Sequence, residues 1–440
     1  MKRLYDPTLG GSTEPWWTVE APPDTAAPPL AESIEAEVAV IGGGFTGLWT
    51  ALALRARGAD VIVLEAGRCG DGASARNGGF LHGYWSSLPR LVDVFGPERA
   101  LEVARSADGI VPAVRTLEED VWLTEGGTLL VSTAAAHDAR LDRDVAVARE
   151  LGLPAEAVDL DADQLSVRSP LFRRAIWHRD GGTVQPARLV RALRRAVLAS
   201  GARLYEHSAV HELADGIART SAGEVRARDI VVATNAWAVR LPQVAARAAV
   251  FRSAIVLTAP VPDLEQRIGW SRGEAISDAR TYIHYFRPTR DGRVLMGSAS
   301  GDIARAERGL RAFFPALDDV PVEYAWEGAI DVSSDRLPFF ATVPGSRIHF
   351  GAGYTGNGVG PSWLGGQLLA GLALDSGLNS PLVNRNPARL PPEPLKTIGG
   401  ALVRRALLAV DEAEANGRRA PVASAVAALP RAFGLRVASR

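Results

Sequence analysis

"EVAVIGGGFTGLWTALALRARGADVIVLEAG", residues 37–67, decides the fold. Glu37 to Ile41 reads as a buried strand. Gly42-x-Gly44-x-x-Gly47 then opens a helical pattern that ends at Gly58. A second apolar run, Val61 to Leu64, leads into an acid, Glu65. Each part has a mechanical reason. Gly42 permits a tight turn, Gly44 lets the backbone approach a pyrophosphate, and Gly47 lets helix and strand pack closely. Free N–H groups and the positive dipole end at the helix start favour phosphate. Glu65 stands ~20 residues on, where an acid accepts hydrogen bonds from an adenosine ribose 2′-hydroxyl and repels a 2′-phosphate. The stretch therefore predicts a strand–turn–helix–strand unit for an ADP-containing cofactor other than NADP.

The whole chain has room for more than this unit. Its 440 residues, 47% hydrophobic and 22% charged, suit a soluble protein of two or more lobes. A net charge of −1 supplies no global field for nucleic acid or an anionic membrane, and neither is expected as a partner. The single cysteine, Cys69, excludes an internal disulfide and a cysteine-based zinc site. No metal is expected, and a reducing, cytoplasmic setting is. Residues 1–36 are polar and Pro-rich, without the apolar core and small-residue cleavage site of a signal peptide. They read as an extended arm anchored by the Trp16-Trp17 pair. No apolar run reaches the ~18 residues that span a bilayer.

Beyond the glycine turn, residues 97–118 and 137–151 read as helices around a β-like stretch from Thr128 to Ser132. "TVQPARLVRALRRAVLASG" (183–201) gives an amphipathic helix entered at Pro186 and ended by Gly201. Short strands are expected at 203–205, 209–213 and 229–233. From 249 to 330 the pattern is strand-rich with no helix between strands, which predicts an antiparallel sheet. A helix should run from Ser362 to Asp375. A Pro-rich link (387–394) then leads to a helical stretch at 401–416 and an Arg-rich tail. The tail reads as a solvated helix face, with a partner or membrane surface as the alternative.

The next block narrows the cofactor. "CGDGASARNGGFLHGYW" (69–85) puts small and polar residues where a simple βαβ unit would start its next helix. Such a loop brings backbone donors and Ser74, Arg76 and Asn77 close to an extended cofactor. This block joins "VIGGGFTGLWTALALRARG", "DGGTVQPARLVRALRRA", "YFRPTRDGRVLMGS", "DRLPF" and "GAGYTGNGVGPSWLGGQLLA". Together they make residues 35–375 resemble the D-amino-acid oxidase superfamily of flavoenzymes, and most of all its γ-glutamylputrescine oxidase-like branch.

The resemblance implies FAD, held without a covalent link. It places the cofactor on Gly42, Gly44, Phe45, Thr46, Gly47, Glu65, Ala66 and Arg68, with the flavin end at Ser74, Arg76, Asn77, Gly78 and Gly79. Val210 would meet the adenine through its backbone, and Ala233 and Thr234 would return beside the ADP half. The implied fold is α/β plus antiparallel β. A Rossmann-type, glutathione-reductase-like FAD-binding domain would take 37–96, 170–240 and 335–395. A substrate domain on a mixed or antiparallel sheet would take 97–169 and 241–334. The arm (1–36) and a helical tail (396–440) complete the chain.

A second Gly-x-Gly-x-x-Gly, Gly351 to Gly356 in "HFGAGYTGNGVG" (349–360), raises the question of a second nucleotide. A true site needs another strand after its helix, with an acid at the strand end. Here the helix runs into "SGLNSPLVNRNPARLPPEP", which holds no apolar strand. Gly353, Gly356, Gly358 and Gly360 are expected instead to let backbone lie flat against a planar ring, and Pro361 suits the first helical position. The helix start would then offer positive charge to the flavin's pyrimidine end. The resemblance also puts this loop, Gly353, Tyr354, Gly356, Asn357, Gly358 and Val359, at the flavin.

Flavin oxidation of an amine asks for a neutral amine with its α-C–H over flavin N5 in a dry, oriented pocket. Segment 249–330 is expected to roof that pocket, with Tyr282, His284 and Tyr285 as candidates and Arg287 for an anionic group. Strand alternation would put Tyr282 and His284 on one face, Ile283 and Tyr285 on the other. His82, Tyr84 and Trp85 follow the flavin loop and are candidates for the wall. In "GAIDVSSDRLPFF" (328–340), Ile330-Asp331 stands where related amino-acid oxidases carry a carboxylate-gripping arginine. That favours an amine with Asp331 near its ammonium, a turn-capping aspartate being the competing reading. The catalytic candidates are thus His82, Tyr282, His284 and Asp331.

Cys69 falls beside the ribose end, so no cysteinyl flavin link is expected. Leu295 stands where sarcosine-oxidase-like members carry an oxygen-activating lysine, which leaves O2 or another electron acceptor open. Three readings result. The first is oxidation of a small-molecule primary or secondary amine, γ-glutamylputrescine-like, to an imine and then an aldehyde. The second is an oxidase or dehydrogenase of an amino or imino acid such as glycine, sarcosine or proline. The third is a flavin-binding protein without turnover.

Overall fold

The computed structural model describes residues 5–11, 13–377, 379–432 and 435. Residues 1–4 of the arm and most of 433–440 of the Arg-rich tail lie outside them. Strand Ile34–Ile41 sits inside an eight-stranded sheet. The order is Phe339–Thr342, Ile348–Ala352, Glu224–Val232, Ile34–Ile41, Val61–Leu64 and Arg203–Tyr205. Neighbours are parallel except for the antiparallel first pair. Short strands Glu212–Ala214 and Ile217–Arg219 extend Glu224–Val232 as a meander. The central runs, Val38–Ile41, Val61–Leu64 and Ile230–Val232, are buried along their length, as parallel strands covered on both faces must be.

Helices Phe45–Arg55, Pro186–Ala199 and Pro361–Ala373 share the core on one face of this sheet. The first and third touch backbone to backbone. A Cβ at Gly366 would lie 2.7 Å from the Trp49 carbonyl carbon. The middle helix starts at Pro186, where Gln185 accepts the Arg188 N–H.

The second sheet also has eight strands, in the order Val322–Ser333, Ala248–Thr258, Val294–Ser298, His284–Pro288, Ala275–Asp278, Thr128–Ser132, Arg174–His178 and Val158–Asp161. It is mixed, because Ala275–Asp278 and Thr128–Ser132 run parallel. A helix, Ile303–Phe313, separates Val294–Ser298 from Val322–Ser333, where the sequence reading has none. Asp302 caps it by accepting the Arg305 N–H, and Leu310 and Phe313 pack against the sheet residues Phe286 and Met296. Strand Arg174–His178 belongs to this sheet, so the domain boundary drawn at 170 cuts through it. The strand expected at 229–233 begins earlier, at Glu224, with Val225 and Ala227 inward and Arg226 and Arg228 outward. The strand expected at 209–213 is Glu212–Ala214.

The arm is tied down rather than loose. Trp17 is fully buried among Leu257, Leu295 and Trp326, and its Nε1 donates to the Asn77 carbonyl at 2.9 Å. Arm and body also share a buried carboxylate, Glu206, which accepts the Ala27 N–H and pairs with Arg194 at 2.9 Å. At the other end, helix Leu395–Ala415 docks through Asp411, which accepts the Thr281 and Tyr282 N–H groups at 3.0 and 2.9 Å. No described helix is long and apolar enough to cross a membrane.

Candidate active site

At Gly42 (φ +110°) the chain leaves strand Ile34–Ile41, and a Cβ there would lie 2.5 Å from the Ala233 carbonyl oxygen. One at Gly47 would lie 1.8 Å from the Gly42 oxygen. Only glycine at both positions lets helix Phe45–Arg55 start hard against the strand end. Ser74 Oγ accepts the Phe45 N–H at 2.9 Å. Glu65 accepts from the Gly43 and Gly67 N–H groups at 2.6 and 2.9 Å. Burial pushes its carboxyl up to about 7 against the pull of those bonds.

A cavity of about 210 Å³ lies against this turn. The first unit contributes Gly42, Gly44, Phe45, Thr46, Glu65 and Ala66 to its lining. Ser74 and Asn77 come from the next loop, and Val210, Ala233 and Thr234 from the returning segments. Tyr354, Gly356, Gly358 and Val359 close it from the second glycine loop. Thr46 Oγ1 donates to Tyr354 Oη at 3.0 Å, joining the start of helix Phe45–Arg55 to a loop 308 residues on. Gly360 packs on the His82 carbonyl oxygen, 2.1 Å from where a Cβ would stand. The second glycine loop thus serves the first site.

A larger cavity of about 280 Å³ adjoins this one, and Ala73, Asn77, Ile330, Gly356 and Val359 line both. Arg76, Gly78, His82 and Asn357 lie on its wall. His82 Nδ1 is 2.9 Å from the Gly83 carbonyl oxygen, which assigns the proton to Nδ1 and leaves Nε2 as an acceptor. Six guanidiniums, of Arg76, Arg90, Arg140, Arg143, Arg280 and Arg336, face two carboxylates, of Asp93 and Asp144. Arg280 pairs with Asp278, Arg143 with Asp93 at 2.5 Å, and Arg90 donates to the Asp335 carbonyl at 3.1 Å. Burial, reinforced by Arg336 and Arg140, pushes Arg90 down to about 9. Burial also pushes Asp144 up to about 6, against Arg140 and Arg143, and His178 down to about 4.

Four residues expected at the cofactor line neither cavity. Gly47 packs helix on strand, and Gly79 abuts the Val184 carbonyl. Arg68 sends its guanidinium to the Asp24 carbonyl of the arm. The Gly353 N–H donates to Asp331 Oδ2 at 2.5 Å.

Three catalytic candidates also lie elsewhere. The strand begins at His284, so Tyr282 precedes it and the alternation does not reach back that far. His284 turns away from the cavity, with Nδ1 3.0 Å from Asp278 Oδ2 and its ring against Phe313. Ile283 and Tyr285 face the cavity instead, and Tyr285 Oη bonds Ser253 Oγ at 2.8 Å. Asp331 is fully buried, takes the Gly353 N–H and an Asn235 Nδ2 bond of 3.2 Å, and is pushed up to about 6 by burial. It positions the second glycine loop rather than a substrate ammonium.

Nor is Arg287 open to a substrate anion. It donates to the Val184 carbonyl at 2.8 Å, over the Trp17 ring. Tyr84 and Trp85 join the core. Sequence reasoning misses Arg140, Asp144, His178, Arg280 and Arg336. Arg140 and Asp144, one helical turn apart, look like a solvated face, and Arg336 carries no local signal beyond its place in "DRLPF".

A parallel sheet with a glycine turn at the end of its central strand, and a second sheet walling an adjoining cavity, define a two-domain, dinucleotide-dependent oxidoreductase. Comparison with known proteins narrows the class. Residues 37–372 match the family described as DAO, FAD dependent oxidoreductase, and the chain belongs to it. It is 31% identical to gamma-glutamylputrescine oxidoreductase of Escherichia coli (strain K12), over 80% of this chain and 86% of that protein. Identity to glycine oxidase of Geobacillus kaustophilus (strain HTA426) is 26%, over 76% of this chain and 92% of that protein.

The crystal structure of glycine oxidase from Geobacillus kaustophilus matches with a TM-score of 0.66 at 22% identity, covering 78% of this chain and 96% of that one. L-Proline dehydrogenase from P. horikoshii gives 0.66 at 19%, covering 80% and 96%. Those two structures share the fold. The chain is an FAD-dependent oxidoreductase, which removes the reading of a flavin binder without turnover. The smaller cavity fits the cofactor. Gly44 and Gly356 line it without side chains, Glu65 offers an acceptor, and Thr234 Oγ1 is buried there without a hydrogen-bond partner.

Proposed function

We propose that the chain oxidises a primary or secondary amine, γ-glutamylputrescine or one like it, to an imine that water hydrolyses to an aldehyde. One observation carries the reading. At the seam of the two cavities the chain presents Ile330, where an arginine would grip an α-carboxylate, and Asp331 behind it is committed to the second glycine loop. When bound, FAD supplies a hydride acceptor for the amine-bearing carbon.

In this reading the first glycine turn, Glu65 and Val210 hold the ADP half, while Ser74, Asn77, Gly356 and Gly358 lie along the flavin. The chain's own residues then set up the substrate. Ile283, Ile330 and Val359 keep water from the reacting end. The excess of guanidiniums disfavours an ammonium and so favours the neutral amine. His82 Nε2 takes the proton that the ammonium gives up. O2 or another acceptor completes the cycle, and the buried free thiol of Cys69 suits a cytoplasmic setting.

A second reading, oxidation of an amino or imino acid, draws on Arg140 and Arg336, which line the cavity without an ion-pair partner among the described residues. Anaerobic mixing of the holoenzyme with a panel of amines and a panel of amino acids separates the two. Bleaching of the flavin by amines is expected. Bleaching by glycine, sarcosine or proline alone would establish the second reading, and return of colour in air reports oxygen as acceptor.

A further inference from the structure

The arm does more than dock through its tryptophans. Tyr5 and Gly10 line the smaller cavity, beside Glu65, Asp71 and Gly72. Residues 37–372 carry the family match, so both precede it. Tyr5 stacks on Trp237, with ring centroids 6.4 Å apart and planes inclined by 8°. Trp237 faces the loop after the first glycine turn, where a Cβ on Gly72 would stand 3.4 Å from its ring. Burial, together with the carboxylates of Glu65, Asp71 and Asp6, pushes the Tyr5 phenol up. Its hydroxyl is thus kept as a hydrogen-bond donor at the Glu65 end of the cavity.

Residues 5–11 are held down by groups on three separate segments of the body. Asp6 pairs with Arg240, and its carbonyl accepts the Trp237 Nε1–H at 2.6 Å. Arg252 donates to the Thr8 carbonyl at 3.0 Å. Gly11 packs on the Arg76 guanidinium, which donates to the Thr13 carbonyl at 2.7 Å. The two halves of the arm differ in what holds them. Pro15, Trp16 and Trp17 are buried, whereas Tyr5, Asp6 and Leu9 are half-buried and Thr8, Gly10 and Thr13 exposed. Polar bonds at a surface open locally at low cost, and a buried tryptophan pair does not. The segment before Pro15 can therefore lift while the segment after it stays docked.

We propose that residues 5–11 form a strap across the FAD site, which lifts to admit the cofactor and closes over its ADP half, with Tyr5 as a cofactor-binding residue. The contacts that close the strap join protein to protein, so they act on uptake and release alike. The Tyr5 ring is part of the cavity wall and acts on the bound cofactor. The inference rests on the family's FAD and holds whichever substrate is oxidised.

Uptake of FAD by the apoprotein and its release from the holoenzyme test the strap. Uptake is followed by flavin fluorescence, and release by a phosphodiesterase that cleaves free FAD to the more fluorescent FMN. Asp6 lines neither cavity. Asp6→Ala should therefore speed uptake and release together, each about fivefold, and leave the Kd for FAD unchanged. Tyr5→Ala should speed release more than uptake and weaken the Kd about tenfold. Asp24→Asn is the control, because it loosens the arm's ion pair with Arg195 outside both cavities, and it should change neither rate.

Unchanged rates in both Tyr5→Ala and Asp6→Ala would overturn the strap. So would equal acceleration in Asp24→Asn, which would show general loosening of the arm. A merely structural role predicts slower uptake together with a lower denaturation temperature of the apoprotein, and that result would overturn it as well. Faster uptake at an unchanged denaturation temperature is the outcome expected of a gate.

Discussion

In the smaller cavity glycine backbone forms the part of the wall nearest the two turns. Glycines at 42, 44, 356 and 358 line it, and two N–H groups fix the orientation of Glu65. In the larger cavity the wall is side chain, with Arg90 from helix Leu88–Phe95, Arg140 and Asp144 from helix Ala135–Glu150, His178 from the second sheet, and Arg336 from a turn near residue 336. A backbone wall tolerates no added atom but leaves little for a charge reversal to change. A side-chain wall can be re-charged one residue at a time without touching the fold. One fold can thereby keep its cofactor and change its substrate.

The sharpest way to break this contrast is at Gly47. Gly47→Val would drive a side chain into the Gly42 carbonyl, at a cost of roughly 4 kcal/mol or more, and the purified protein should carry no flavin. Retention of stoichiometric flavin would show that the turn is not backbone-limited.

Trp17 joins the two regions, because it is buried beside Leu295 and Trp326 and donates to the Asn77 carbonyl. Trp17→Ala should cost about 3–5 kcal/mol in stability and raise the fluorescence of bound flavin as loop 73–79 loosens. Thermal denaturation followed by flavin release measures both.

On the side-chain wall, His82→Asn should slow flavin reduction by amines about 100-fold at neutral pH, with the loss shrinking as pH rises and free amine accumulates. A loss that is the same at every pH would assign His82 to packing.

Glu65 gives a smaller, pH-dependent effect. Its carboxyl, raised from 4.5 to about 7 in the flavin-free fold, binds a proton more tightly folded than unfolded. Its contribution to stability is therefore present below about 4.5 and lost as pH rises towards 7. Glu65→Gln should flatten that part of the denaturation profile of the apoprotein. The smallest effect belongs to Thr46→Val, which removes the bond to Tyr354 and should cost about 1 kcal/mol, with no further loss in Tyr354→Phe on top of it.

The same contrast explains what the sequence makes legible. A strand, glycine turn, helix and acid within 31 residues are local, and each residue's reason lies in its neighbours, so the fold and the first glycine turn can be read directly. The second glycine loop is also legible, because the strand it lacks would be adjacent in sequence. Asp331 and His284 mislead for the opposite reason. Both are polar and near the right segment, but only the packed sheet shows that one binds Gly353 and the other Asp278. Helix Ile303–Phe313 is hidden by the strands on either side of it. Arg140 and Arg336 meet at one cavity from positions nearly 200 residues apart, and no local pattern announces such a meeting.

The most direct test of amine oxidation in a backbone-held flavin site is one anaerobic mixing experiment. The holoenzyme meets the γ-glutamyl amide of 1,4-diaminobutane, and flavin absorbance and aldehyde are followed together. Full bleaching with one aldehyde formed per flavin is the expected result. An unbleached flavin with this and every other amine, or bleaching only by glycine, sarcosine or proline, would contradict it.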